Sequence, residues 1–279
     1  MKLVRYGAKG REKPGLIGSD GRLRDLSDHI DDIGWNELAP SHQRRLSRLD
    51  PGGLPLVPGK PRLGVPYTGI SKIIGIGLNY RAHAEEAKMP LPTEPVVFMK
   101  ATSCINGPFD PIIKPRGSTK MDWEVELGIV IGRETRYVDE ADALKHVAGY
   151  CVFHDVSERA FQLERGGGWD KGKSCDTFGP IGPCLVTADE VPDPQNLRMW
   201  LEVNGQRMQD SNTADMIFGC AKIVSYLSQF MTLLPGDLIA TGTPQGVGMG
   251  RGVFLNVGDE VRLGIDGLGE QRQKVIAAR

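Results

Sequence analysis

Two glutamates, Glu124 and Glu126, stand in a stretch (123–131) whose alternate positions Trp123, Val125, Leu127, Ile129 and Ile131 are all apolar. A two-residue period is that of a β-strand, so both carboxylates project from one face with Cα atoms roughly 6–7 Å apart. Carboxylates that close raise each other's pKa unless a cation neutralises them; on a half-exposed edge strand they would be only a solvated face. Asp155 adds a third acid at the end of a second strand, 150–155, beside the start of a helix. Three carboxylates, with no histidine or cysteine at ligand spacing, favour a hard ion, Mg2+ or Mn2+, over zinc. His83 and Glu86 are spaced i, i+3 on a short helix, so the carboxylate can orient the imidazole as a general base. The same pair on an open surface would contribute little.

The elements that must position these groups are mostly strands. The pattern predicts strands at 72–78, 96–99, 123–131, 150–155, 238–241 and 261–265, and a hairpin, 199–203 with 206–209, turning at Asn204-Gly205. Helices are expected at 36–48, at 80–88 ending before Pro90, from a Ser157 cap to 165, and around 217–227, where Ile217, Cys220, Ile223, Val224 and Leu227 keep helical spacing. Five prolines between 51 and 66 make an extended connection. This divides the chain into a small N-terminal domain with its connection, 1–68, and a catalytic domain, 69–279. The regular strand–helix alternation of a doubly wound parallel sheet is absent, and the fold class is β-rich α+β.

Composition narrows the partners. Thirty-four Lys and Arg against thirty-five Asp and Glu give a net charge of −1, with no electrostatic case for nucleic acid. No apolar run is long enough for a membrane span, and no secretory signal is visible. Five cysteines without a CxxC pair fit a reduced, cytoplasmic setting in which each is a small buried hydrophobe. Thirty-six glycines and nineteen prolines imply many tight turns. Two nucleotide motifs fail on context. Residues 167–174, GGWDKGKS, match GxxxxGK[ST], but a charged helical segment precedes them and Gly179, Pro180, Gly182 and Pro183 follow too soon for a helix. Gly75-Ile76-Gly77 lacks the third glycine of a dinucleotide fingerprint, which would fall at Tyr80.

The segments GIGLNYRAHAEE (75–86), DWEVELGIVIGR (122–133), HDVSERAFQ (154–162), KGKSCDTFGPIGP (171–183) and PGDLIATGTPQGVG (235–248), in this order, resemble the fumarylacetoacetate hydrolase family over about 70–279. The resemblance implies a mixed β-sandwich roll, a homodimer, and one Mg2+ or Mn2+ per subunit held by Glu124, Glu126 and Asp155. It implies that His83 and Glu86 position water, that Lys173 contacts substrate oxygens and that Thr243 holds the substrate carboxylate, with Arg159 and Gln162 in support. Where related chains have asparagine before the aspartate, this one has His154, which strand alternation turns away from Asp155. The implied reaction is hydrolysis of a 2,4-dioxo acid to pyruvate and a carboxylic acid, through an enolate that a bound divalent cation is suited to stabilise. Oxaloacetate decarboxylation and 2-oxo-alkenoate hydration are the alternatives at the same site. The 162–173 and 2–26 segments are most similar to a bacterial branch that includes hydrolases of 2,4-diketo-3-deoxy-L-rhamnonate and -L-fuconate.

Overall fold

The computed structural model describes residues 1–279. Its larger sheet has nine strands, in spatial order Leu23–Asp25, Lys13–Ile17, Lys2–Tyr6, Leu185–Thr187, Val147–His154, Val125–Ile131, Leu238–Ala240, Ile73–Gly77 and Val96–Lys100. Pairing is antiparallel except between Leu238–Ala240 and Ile73–Gly77. A second sheet of five strands orders Gln206–Asn212, Arg198–Val203, Glu260–Ile265, Gly269–Ala277 and Ile112–Lys114. The fold is therefore strand-rich, with large sheets and a few short helices and no closed barrel, as the sequence pattern implied. No helix is long and apolar enough to cross a membrane.

The central pair Val125–Ile131 and Val147–His154 is buried along its whole length. Both faces of the pair are covered, so Glu126 lies in the interior and not on a half-exposed edge. One hydrophobic cluster of 56 buried residues runs from Leu3 to Val275. The first strand, Lys2–Tyr6, pairs with Leu185–Thr187 and so joins the N-terminal segment to the large sheet. Arg62 bridges the two regions at their surface, donating to Asp110 at 2.6 and 2.8 Å and to Glu12 at 2.8 Å.

Several local expectations are corrected. The helix expected over 36–48 is two, Trp35–Leu38 and Pro40–Leu46, because Pro40 has no N–H for an unbroken helix and takes a first-turn position. The Arg159–Leu163 helix is capped by Glu158, whose side chain accepts from the Ala160 N–H; Ser157 instead pairs with Asp122 in a short antiparallel bridge. The nine-residue strand Gly269–Ala277 was not expected. The Asn204-Gly205 turn is as read, with φ of 50° and 79°, the two left-handed positions of a type I′ hairpin.

Candidate active site

Register brings the acids together. In the antiparallel central pair Glu126 faces Phe153 and Val125 faces His154. The Asp155 N–H then donates to the Glu124 carbonyl at 3.0 Å, which sets Asp155 opposite Glu124 and on its face. Carboxylate oxygens of Glu124, Glu126 and Asp155 lie within 4.8 Å of one another, and all three residues are buried. His154 turns to the other face and packs against the second sheet, its Nδ1 3.0 Å from Gln273 Oε1. Burial draws its imidazole down to about 4, so it stays neutral.

Three cations surround the cluster. Lys173 Nζ donates to Glu124 Oε2 at 2.8 Å and to Asp155 Oδ2 at 2.7 Å. Arg159 donates to Glu124 Oε1, to Asp122 Oδ2 at 2.8 Å and to Gln162 Oε1 at 3.0 Å. Lys100 donates to Asp155 Oδ1 and to the Val156 carbonyl. Glu126 has no cation; its Oε2 accepts from the Gly242 N–H at 2.8 Å. Gly242 must be glycine there: its φ is 98°, and a Cβ would lie 2.8 Å from the Asn79 side chain and 2.9 Å from the Ile76 carbonyl.

The electrostatics divide accordingly. Burial pushes the Glu124 carboxyl up, but Lys173 and Arg159 outweigh it and hold the group well below the ordinary carboxylate range. Glu126 goes the other way: burial, then the charges of Asp155 and Glu124, raise it well above that range. Burial pulls the Lys173 ammonium down, but Asp155 and Glu124 outweigh it and keep it charged. Counting Asp122, four buried carboxylates face three buried cations, and the carboxylate left without a cationic partner is Glu126. This donor set fits a divalent cation. It is all oxygen, and at most one hydrogen bond per triad oxygen leaves a lone pair free on each.

The cluster floors a cavity of ≈150 Å³, whose walls include His83, Phe98, Trp169, Thr243 and Met249. A larger depression of ≈330 Å³, lined by Pro40, Arg44 and Arg133, lies outside the carboxylate cluster and belongs to another face. His83 is on the helix Arg81–Glu86, with Nδ1 3.4 Å from Glu86 Oε2. Glu86 is fixed by the Gly246 N–H at 3.0 Å. Burial pushes its carboxyl up, but the His83 and Gly246 hydrogen bonds outweigh that and keep it ionised. The His83 Nδ1 contact is a loose one; such contacts tighten when substrate binds. Thr243 Oγ1 donates to the Val125 carbonyl and accepts from Gln209 Nε2, both at 2.9 Å.

The structure thus gathers His83, Glu124, Glu126, Arg159, Gln162, Lys173 and Thr243 around one cavity, with Glu86 behind His83 and Asp155 beneath the floor. The GGWDKGKS match has a different explanation. Lys173 ends a four-residue helix, Asp170–Lys173, and is committed to the acids. Gly172 lets that helix approach Arg159–Leu163, since a Cβ would meet the Glu158 carbonyl at 2.5 Å. Sequence reasoning missed Lys100, Asp122, Gln209 and Trp169. Asp122 could have been found, because the alternation Asp122, Glu124, Glu126 continues one step back. Gln209 closes the Val125 N–H at 3.0 Å from another sheet, and no local pattern announces that.

Comparison with known proteins agrees with this geometry. The fumarylacetoacetate (FAA) hydrolase C-terminal family matches residues 72–276. A Burkholderia multivorans protein, named as a hydrolase without a stated substrate, is 60% identical over the full length of both chains. Among solved structures, a fumarylacetoacetate hydrolase from Exiguobacterium antarcticum is 34% identical, with TM-score 0.90 and 100% of both chains covered. Maleylpyruvate hydrolase from Sphingobium sp. SYK-6, in complex with manganese(II) and pyruvate, is 30% identical, with TM-score 0.84 and the same coverage.

Proposed function

Because this chain belongs to the fumarylacetoacetate (FAA) hydrolase C-terminal family, we propose that it is a Mg2+- or Mn2+-dependent hydrolase of 2,4-dioxo acids. It would cleave an acylpyruvate-type C–C bond to give pyruvate and a carboxylic acid. The observation that carries this reading is the buried triad Glu124, Glu126 and Asp155, in which Glu126 has no cationic partner, beside a cavity that His83 also lines with Glu86 behind it. The maleylpyruvate hydrolase neighbour, solved with manganese(II) and pyruvate, supports both the metal and the product. The sugar acids of the resembling bacterial branch are the polyhydroxylated end of this substrate class. The working unit in this reading is a homodimer, with 69–279 catalytic and 1–68 accessory.

Glu124, Glu126 and Asp155 would hold the cation, which when bound supplies positive charge to the pyruvyl oxygens. The residues of the chain do the rest. His83 takes a proton from water through the ring nitrogen not turned to Glu86, and Glu86 keeps the imidazole in the matching tautomer. The water oxygen bonds to the distal 4-oxo carbon. Lys173 supplies fixed charge to the developing oxyanion. As the tetrahedral species collapses, the C–C bond breaks, its electron pair leaves with pyruvate as an enolate, and a proton returns to the enolate carbon. Thr243 would turn its hydroxyl proton from the Val125 carbonyl to the substrate carboxylate, while Arg159 and Gln162 fix the wall beside Glu124. Decarboxylation would use the same floor with less need of His83, whereas hydration would also draw on an activated water; the paired His83 and Glu86 favour hydrolysis over decarboxylation. The test is pyruvate release from acylpyruvates: chelation should abolish it and Mg2+ or Mn2+ restore it, whereas full turnover by metal-free protein would defeat the reading.

A further inference from the structure

The cavity lining is of two kinds. At the carboxylate cluster the side-chain acceptors other than Glu126 Oε1 are engaged. Glu124 is taken by Arg159 and Lys173, the Gln162 oxygen by Arg159, and Thr243 by Val125 and Gln209. The same cavity is also lined by Leu78, Met89, Leu163, Trp169 and Met249. Three of these, Met89 (50%), Leu163 (51%) and Met249 (39%), are exposed large apolar side chains. Such a lining suits an apolar occupant. The Gln162 amide N–H groups and the Trp169 indole N–H are donors, and the five residues themselves offer no strong side-chain acceptor.

Trp169 is placed with unusual care. Its ring packs on Phe98 at 5.5 Å between centroids. It also lies over Gly77, where a Cβ would come within 2.6 Å of the indole. The three residues before it, Gly166, Gly167 and Gly168, have φ of 70°, 72° and 79°, a succession that only glycine adopts without strain. Trp169 also leads directly into the helix that carries Lys173. One element therefore supplies both the apolar wall and the charge at the reacting oxygens.

Resting on the 2,4-dioxo-acid reading, we propose that the acyl half of the substrate is a short apolar group, and that Trp169 is the residue that sets its size. A polyhydroxylated chain would strand its hydroxyls against Leu78, Met89 and Leu163. Each stranded hydroxyl should lower affinity by about 10-fold or more. Removing the indole should admit a bulkier acyl group, because pocket discrimination by apolar bulk is worth about 10- to 200-fold.

The test pairs binding with turnover in the metal-loaded full-length protein. Calorimetry compares an N-alkyl oxamate with its polyhydroxylated counterpart of equal length, and oxalate serves as a probe of the floor alone. Pyruvate release is measured from acetylpyruvate, benzoylpyruvate and a diketo-deoxy sugar acid. We expect the alkyl oxamate to bind at least about 10-fold more tightly than the hydroxylated one. Trp169→Ala should raise the benzoylpyruvate-to-acetylpyruvate ratio of kcat/KM by about 10-fold, and Trp169→Phe should fall between. Oxalate affinity should hold within about 2-fold, which shows that the floor survives each substitution. A hydroxylated oxamate that binds as well or better, or a ratio indifferent to Trp169, would overturn the proposal even if pyruvate is released. If no dioxo acid yields pyruvate while the alkyl oxamate still binds preferentially, the hydrolase reading falls and the apolar subsite stands.

Discussion

Replacing Glu126 by glutamine isolates the charge on which the metal assignment rests. Glu126 is buried, has no cation of its own, and keeps one hydrogen bond, from the Gly242 N–H, which the glutamine carbonyl can also accept. Burial and the Asp155 and Glu124 charges both act against its ionised form. Both effects disfavour charge at this position, so a neutral isostere should be neutral or mildly stabilising in the metal-free protein. At roughly 2–4 °C per kcal/mol for a chain of this size class, metal-free Glu126→Gln should melt at the same temperature as wild type or several degrees above. The response to metal should reverse the order. A ligand at 100 times its Kd stabilises by about 2.7 kcal/mol, so wild type should gain roughly 5–10 °C with Mn2+. The variant, with two charged donors left, should gain little. Scanning calorimetry of both proteins in chelator and in excess Mn2+ gives all four temperatures. A variant that is destabilised without metal, yet gains as much from Mn2+ as wild type, would mean that Glu126 is not a metal ligand.

Loss of His83 should separate chemistry from binding. His83→Ala is expected to lower hydrolytic kcat by roughly 10²–10⁴ while oxalate affinity holds, and any oxaloacetate decarboxylation should fall much less; equal losses in both reactions would remove His83 as a dedicated water base. Arg62→Met should cost about 1–3 kcal/mol, because it leaves Asp110 partly buried and unpaired and Glu12 with only Arg5, at 3.7 Å, and differential scanning calorimetry reads this as a lower Tm. In Asp110, burial pushes the carboxyl up but Arg62 outweighs it and lowers it; Glu12 follows the same pattern. Their folded values lie below the unfolded ones, so the stabilisation is present at neutral pH and is lost as pH falls through and below the ordinary carboxylate range. The Arg62→Met deficit should accordingly shrink in acid, and a deficit that stays constant down to strongly acidic pH would discount the ion pairs.

What was legible in the sequence was what depends on local period. The alternation around Glu124 and Glu126 gave the strand and its acidic face, and the i, i+3 spacing gave the His83–Glu86 contact. Alternation also turned His154 away from Asp155, and the structure places it against Gln273. What depends on long-range pairing was not legible. Lys100 meets Asp155 only because the Val96–Lys100 strand lies at the far edge of the large sheet, next to Ile73–Gly77. The Gly269–Ala277 strand escaped because its inward positions include Gln271 and Gln273, which read as surface residues. Both are fully buried, and Gln271 donates to the Val152 carbonyl at 2.7 Å. The join between Lys2–Tyr6 and Leu185–Thr187 spans most of the chain and leaves no local trace. Trp169 was hidden for a similar reason: three glycines in a row look like a linker until their φ values show a fixed approach to Phe98.

Whether Glu124, Glu126 and Asp155 together hold the divalent cation can be read from crystals grown with Mn2+ and oxalate and measured on either side of the manganese absorption edge. One strong anomalous peak is expected within coordinating distance of all three carboxylates, with oxalate beside it and Lys173 close by. A peak at another cluster of residues, or none at this triad under Mn2+ concentrations that support turnover, would rule the triad out as the metal site.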